Sequence, residues 1–64
     1  MKNKIKELRK QKNLRQEDLA LKLGVTRQTI NAVENNKYNP TLELAMKLAK
    51  LLGTPVEDIF QLED

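Results

Sequence analysis

The stretch QEDLALKLGVTRQTINAVEN, residues 16–35, decides the fold. It reads as two short helices, 16–23 and 27–35, joined by Gly24-Val25-Thr26. Leu19, Ala20 and Leu23 stand at i, i+1 and i+4, which gives the first of the two one apolar face. Glu17 and Asp18 sit in its first turn, where the positive end of the helix dipole favours acids. Gly24 ends it, because the residue after the last turn adopts a positive φ that glycine takes without steric cost. Thr26 is a good N-cap for the next helix, whose buried side is defined by Ile30 and Val33. Ala20 is small where the two helices must approach. Helices this short cannot bury both apolar faces alone, so other helices must cover their backs.

Outward from this stretch the chain supplies those covers. A helix is expected over about residues 2–12, with Ile5 and Leu8 on one side and Arg9 and Lys12 flanking them. Asn13 and Leu14 break it, and Leu14 is expected to plug the core. Residues 36–40 form a loop. Thr41 caps a helix over 42–52 that Gly53 closes. Thr54 is expected to cap a fifth helix, with Pro55 at its first position and Glu57 completing a capping box, ending near Phe60 or Gln61. No strand pattern, internal repeat or low-complexity segment is visible. The expectation is an all-α fold of five helices, one domain over residues 1–64, with the helix-turn-helix at 16–35.

Helix 42–52 is apolar most of the way round. Leu42, Ala45, Met46, Ala49 and Leu52 share one face at roughly 100° per residue, and Leu44, Leu48 and Leu51 form a second. Val56, Ile59 and Phe60 add more apolar surface than a short terminal helix needs. The C-terminal third therefore reads as core plus dimer face, with Leu44, Leu51, Ile59 and Phe60 expected on that face.

Composition excludes several function classes. The 64 residues contain no Cys and no His. No disulfide, thiolate ligand or ordinary zinc site is available, and the usual general base is missing. Two glycines cannot make a glycine-rich phosphate loop, and a chain this short leaves no room for an ordinary substrate pocket. No catalysis, metal or cofactor is expected. Lys2, Lys4, Lys6, Arg9 and Lys10 leave no apolar stretch for a signal peptide, and no apolar run approaches the ~20 residues of a membrane span. A cytoplasmic protein without membrane partners is expected. Residues 1–40 hold ten Lys or Arg against four acids, and residues 41–64 hold two Lys against five acids. A basic front and an acidic back suit a polyanion on one face, although charge alone fits a solvated surface equally well.

The outward side of helix 27–35 is more specific. It carries Arg27, Gln28, Asn31, Ala32 and Asn35, where a merely solvated helix is usually rich in Lys and Glu. Arg grips guanine O6 and N7 with two bonds, Gln and Asn do the same for adenine N6 and N7, and a methyl meets the thymine methyl. Arg27, Gln28, Asn31 and Ala32 are therefore the candidate base readers. Gln16, Thr26, Thr29, Asn35, Asn36, Lys37 and Tyr38 surround them and suit phosphates, which set position rather than sequence. Arg9 and Glu34 each edge the apolar side of a helix and are expected to meet in a partly buried, structural ion pair.

From Ile5 to Phe60 the chain resembles the phage-repressor (Cro and C1-type) helix-turn-helix family. The carrying residues are Leu8-Arg9, Gln16-Glu17-Asp18-Leu19-Ala20, Leu23-Gly24-Val25, Arg27-Gln28-Thr29-Ile30 and Val33-Glu34-Asn35. Asn36-Lys37-Tyr38-Asn39-Pro40 followed by Leu42-Glu43-Leu44-Ala45 is similar to small stand-alone prokaryotic regulators of the cytolysin-repressor type. The resemblance implies a five-helix, lambda-repressor-like domain, a homodimer and an operator with two half-sites. It implies base contacts at Arg27, Gln28 and Asn31 or Ala32, phosphate contacts at Gln16 and Asn35, and an Arg9–Glu34 pair. Arg15 departs from the family's Ser or Thr before the second helix, which weakens that cap and adds a possible phosphate contact. With the chain ending at Asp64, no small-molecule effector is expected.

The expected function is a homodimeric repressor of double-stranded DNA, each copy setting helix 27–35 in the major groove. The alternative is an antitoxin or other protein-interaction module working through the apolar surface of the fourth and fifth helices.

Overall fold

A computed structural model describes residues 1–62. Glu63 and Asp64, part of the single domain expected over 1–64, lie outside the described residues. The elements run β1 (Lys2–Asn3), α1 (Ile5–Gln11), α2 (Gln16–Leu23), α3 (Arg27–Glu34), α4 (Leu42–Leu52), α5 (Val56–Ile59) and β2 (Phe60–Gln61). The five expected helices are present, and a small two-stranded sheet is added to them.

That sheet corrects the expected start of the first helix. Lys2 lies opposite Gln61 and Asn3 opposite Phe60 in an antiparallel pair, and the Lys4 N–H donates to the Ile59 carbonyl at 2.9 Å. Asn3 is the cause. Its Oδ1 accepts from the Ile5 N–H at 3.1 Å, a side-chain bond that competes with continuing the helix backwards. The backbone before it is left extended, free to pair with the far end of the chain. Strands of two residues are too short for an alternating pattern to show in the sequence.

The fifth helix is also corrected. Pro55 sits at its boundary with φ −59° and ψ 149°, so the helix covers only Val56–Ile59 and has no side-chain cap. The Thr54 hydroxyl donates to the Leu52 carbonyl at 3.1 Å. The Thr54 N–H is committed to the Ala49 carbonyl at 3.1 Å, closing α4. The Thr54 N–H is thus not left for Glu57, and the Thr54 hydroxyl is turned back to α4, so the expected capping box does not form.

Four helix ends use one device. After α1, α2, α3 and α4 the chain passes through Asn13, Gly24, Asn36 and Gly53, all at φ between 58° and 71°. At each end two N–H groups turn back on orphan carbonyls. Leu14 to Arg9 and Asn13 to Lys10 close α1, and Lys37 to Ala32 and Asn36 to Val33 close α3. This is the paired bonding of a Schellman motif. Asn is the side chain that best tolerates the left-handed region after Gly, which is why the chain stops two of its helices without glycine.

Ile5, Leu19, Ala20, Leu23, Ile30, Val33, Leu44, Ala45, Leu48, Leu52, Ile59 and Phe60 form one buried cluster, with Leu14, Val25 and Leu51 packed against it. This overturns most of the expected dimer face. Leu44, Ile59 and Phe60 are buried inside the protomer, and Leu51 is half-buried. The two apolar faces expected on α4 resolve into one buried stripe, Leu44, Ala45, Leu48 and Leu52, and an exposed pair, Leu42 at 74% and Met46 at 53%. The chain is too small to wrap its longest helix, so the excess apolar surface lies at different residues from those expected. Two of the four keep a link to it: Phe60 lines an open apolar depression with Met1, Val56 and Leu62, and half-buried Leu51 lines another with Leu23.

Candidate nucleic-acid interface

α3 presents the expected side chains because its two inward residues, Ile30 and Val33, are buried. Thr26 accepts from the Thr29 N–H at 3.1 Å and starts the helix as expected. The Thr26 and Thr29 hydroxyls are 3.0 Å apart, so Thr29 folds back on the cap and is half-buried. No acid occupies the first turn of α3. Its positive end and Arg27 therefore reinforce each other as an anion-attracting tip.

Arg27, Gln28 and Asn31 are exposed and line one shallow depression on the outer side of α3. Three of the four candidate base readers are thus brought together. Ala32 lies about 100° round the helix from Asn31, is half-buried, and is not part of that depression. Asn35, Asn36, Lys37 and Tyr38 are exposed where α3 ends.

Arg9 and Glu34 form an ion pair between α1 and α3. Arg9 Nε donates to Glu34 Oε2 at 2.8 Å and Nη2 to Oε1 at 3.2 Å. The side chains are only 9% and 4% exposed. Arg9 Nη1 also donates to the Leu14 carbonyl at 2.9 Å. A two-pronged pair with the third guanidinium nitrogen also bonded is the geometry in which burying charge is tolerable.

The pair continues into the outward face. Gln16 Nε2 donates to Glu34 Oε1 at 3.1 Å, and Asn31 Nδ2 donates to Gln16 Oε1 at 3.4 Å. Asn35 Nδ2 donates to Asn31 Oδ1 at 3.0 Å and to the Asn31 carbonyl at 2.9 Å. Gln16 and Asn35, expected as phosphate contacts, are therefore also neighbours that hold Asn31.

Arg15 takes the place of a cap on α2 without serving as one, since a guanidinium has no acceptor. Asp18 supplies the reciprocal half: its Oδ2 accepts from the Arg15 N–H at 2.9 Å and from Nε at 3.2 Å. The Arg15 side chain, then its backbone N–H, hold the Asp18 carboxyl below its ordinary value. Glu17 pairs with the same guanidinium at 3.1 Å. Arg15 is thereby occupied by acids of its own helix.

The sequence reading missed Asn3. Its Nδ2 donates to the Val33 carbonyl at 2.8 Å and to Asn36 Oδ1 at 3.0 Å, tying the N-terminus to the end of α3. The signal was an Asn two positions before the first periodic apolar residue, a helix-start pattern. Its second role, across 33 residues, has no local signature.

Comparison with known proteins agrees with this geometry. The sequence profile of the helix-turn-helix family matches residues 5–59. An uncharacterised HTH-type transcriptional regulator of Methanocaldococcus jannaschii is 61% identical over the whole chain and 97% of its own length. The cryptic phage CTXphi transcriptional repressor RstR of Vibrio cholerae is 39% identical over 89% of this chain and 51% of its own. Among solved structures, the restriction-modification controller protein C.AhdI of Aeromonas hydrophila superposes with a TM-score of 0.78 at 36% identity, over 88% of this chain and 85% of that one. The chain belongs to the helix-turn-helix family and is a transcriptional regulator with a DNA-binding helix-turn-helix domain, not an enzyme.

Proposed function

We propose that the protein is a homodimeric repressor acting in the cytoplasm, which sets α3 in the major groove of an operator with two half-sites. The observation that carries this is the depression shared by Arg27, Gln28 and Asn31 on the outer side of α3, backed by Ile30 and Val33. Arg27 and Gln28 lie at the N-terminal end of the helix, the end that meets base edges in this class of motif. Gln16, Thr26, Thr29, Asn36, Lys37 and Tyr38 are assigned to flanking phosphates and Ala32 to a thymine methyl at the edge of the contact, while Asn35, whose amide NH2 is given to Asn31, is left out of the phosphate set. A phage transcriptional repressor among the relatives supports the sign of regulation.

The dimer follows from reach. The longest extent of the protomer is 32 Å, while half-sites are spaced by one turn of roughly 34–36 Å. One copy covers one half-site. Three apolar surfaces of the described residues are open to a second copy, one of them joining Leu23 and Leu51 among Lys22, Lys47 and Lys50. Leu42 and Met46 are fringed by Glu43, Lys47 and Lys50. Among the described residues, the depression at Phe60 is formed by Met1, Val56 and Leu62 with Glu57 and Gln61. Among the described residues the Phe60 depression has the fewest charged side chains to desolvate, as the centre of an interface requires, and is the assigned dimer face.

Selection of bound sites from random duplex DNA tests the reading. A motif with two half-sites is expected. With about eight to ten phosphates neutralised, log K falls against log[salt] with a slope near −7 to −9. Binding without a motif would reduce the basic front to a general polyanion surface. A second reading, an antitoxin or other protein-interaction module, rests on exposed Leu42 and Met46. Sedimentation separates the two uses: Val56→Glu gives monomers and Met46→Glu leaves the dimer intact. The reverse result would move the dimer to α4 and leave the Phe60 depression for another protein.

A further inference from the structure

The sense of the Asn31 amide is dictated by the buried Arg9–Glu34 pair, and the links that carry it can be followed group by group. Glu34 is ionised against Arg9 and has only acceptor oxygens. Gln16 must therefore turn its NH2 toward Glu34 Oε1, as it does at 3.1 Å. Its carbonyl oxygen is then the atom left facing α3, and Asn31 must meet it with a donor, as Nδ2 does at 3.4 Å. That leaves Asn31 Oδ1 on the other side, where Asn35 Nδ2 donates to it at 3.0 Å. Asn35 cannot turn round, because the same NH2 also serves the Asn31 backbone carbonyl at 2.9 Å. Both ends of the series are fixed, and Asn31 is held between them.

An amide has two N–H donors and an oxygen with two lone pairs. With one of each engaged inside the protein, exposed Asn31 retains one donor and one acceptor. Adenine presents that complement in the major groove, an N6–H donor beside an N7 acceptor, whereas guanine presents two acceptors. We infer that Gln16 is a specificity-determining positioning residue: through Glu34 and Asn31 it commits one base of each half-site to adenine. The inference rests on the base-reading function proposed above. A plain phosphate contact by Gln16 uses its second N–H and leaves base preference untouched.

The experiment is site selection from random duplexes with the native protein and with the Asn31→Ala, Gln16→Met, Asn35→Ala and Arg27→Ala variants, at one salt concentration. The native motif contains an adenine that Asn31→Ala makes indifferent. In Gln16→Met the preference at that position falls from about tenfold or more to about threefold or less, while the position lost in Arg27→Ala stays sharp. Asn35→Ala, at an exposed site that leaves the core and the ion pair in place, gives the same loss by removing the other restraint. Guanine at the Asn31 position overturns the inference. So does a Gln16→Met protein that binds every sequence more weakly by one common factor. A native protein that selects no motif fails the base-reading function itself, and the inference falls with it.

Discussion

The two halves of this molecule share one apolar core and differ in what is added to it. The half made by α1, α2 and α3 is tied by a polar series running from Arg9 through Glu34, Gln16 and Asn31 to Asn35. The half made by α4 and α5 is held by apolar burial, with Leu44, Ala45, Leu48, Leu52 and Ile59 inside and Thr41 capping the helix through the Leu44 N–H at 3.2 Å. Apolar contact is strong but nearly indifferent to angle. Hydrogen bonds contribute less net stability and are strict about direction. The half that presents side chains in a fixed sense adds the second kind to the shared core, and the half that only has to cohere relies on the first.

The largest expected effect attacks the first kind at its root. Arg9→Ala leaves the Glu34 carboxylate buried without its partner, a loss of about 3–5 kcal/mol. That is a large share of what a chain of this size has, at roughly 0.05–0.15 kcal/mol per residue, so urea titration shows a largely unfolded protein. The double replacement Arg9→Met with Glu34→Leu removes both charges and returns stability to within about 1 kcal/mol of native. It does not return the base preference at Asn31, because Gln16 has lost the acceptor that oriented it. A double variant with native selectivity would show that packing alone orients Asn31.

Leu48→Ala is the corresponding attack on the other half. Leu48 is wholly buried, and truncation costs about 2–5 kcal/mol through lost burial and an unfilled cavity. At low temperature or with stabilising solute, the folded fraction still selects the native motif. Blurring of the motif by Leu48→Ala would mean that the two halves are not separable in function.

The contrast also explains what the sequence could tell. The apolar periodicity of α2, α3 and α4 is a local signal, and the helix-turn-helix at residues 16–35 emerged from it with boundaries close to those observed. The outward placement of Arg27, Gln28 and Asn31 was legible because Ile30 and Val33 fix the rotation of α3. The Asn3 bridge to Val33 and Asn36 was not, nor the pairing of Lys2–Asn3 with Phe60–Gln61, because both join chain ends that no local pattern relates. The open apolar surface was misplaced for a related reason. Periodicity shows that α4 is apolar on two sides, but which side the rest of the chain covers depends on packing.

Arg27→Ala acts on the tip of the reading half and on nothing else. Arg27 is exposed and serves neither the ion pair nor the Asn31 series. Binding to the selected operator weakens by about 1–3 kcal/mol, while the urea midpoint stays within about 0.5 kcal/mol of native stability. Equal weakening on operator and random DNA would assign Arg27 to phosphate.

The smallest expected effect is one of pH, and it too belongs to the reading half. The Arg15 side chain and then its backbone N–H stabilise the charged form of Asp18, so its pKa is lowered in the folded protein. A group depressed on folding stabilises fully above its unfolded value of about 3.9 and loses that contribution as pH falls through the folded value. Stability therefore declines on acidification below about pH 4, and Arg15→Ala makes the decline shallower by bringing the two values together. The group is exposed, so solvent screening keeps the effect small, and it is read as a difference between urea midpoints near neutral and acid pH. An acid decline unchanged in Arg15→Ala would shift its origin away from the start of α2. A shallower one would show that the Arg15 guanidinium holds the Asp18 carboxylate at this helix start, in a form that acid can release.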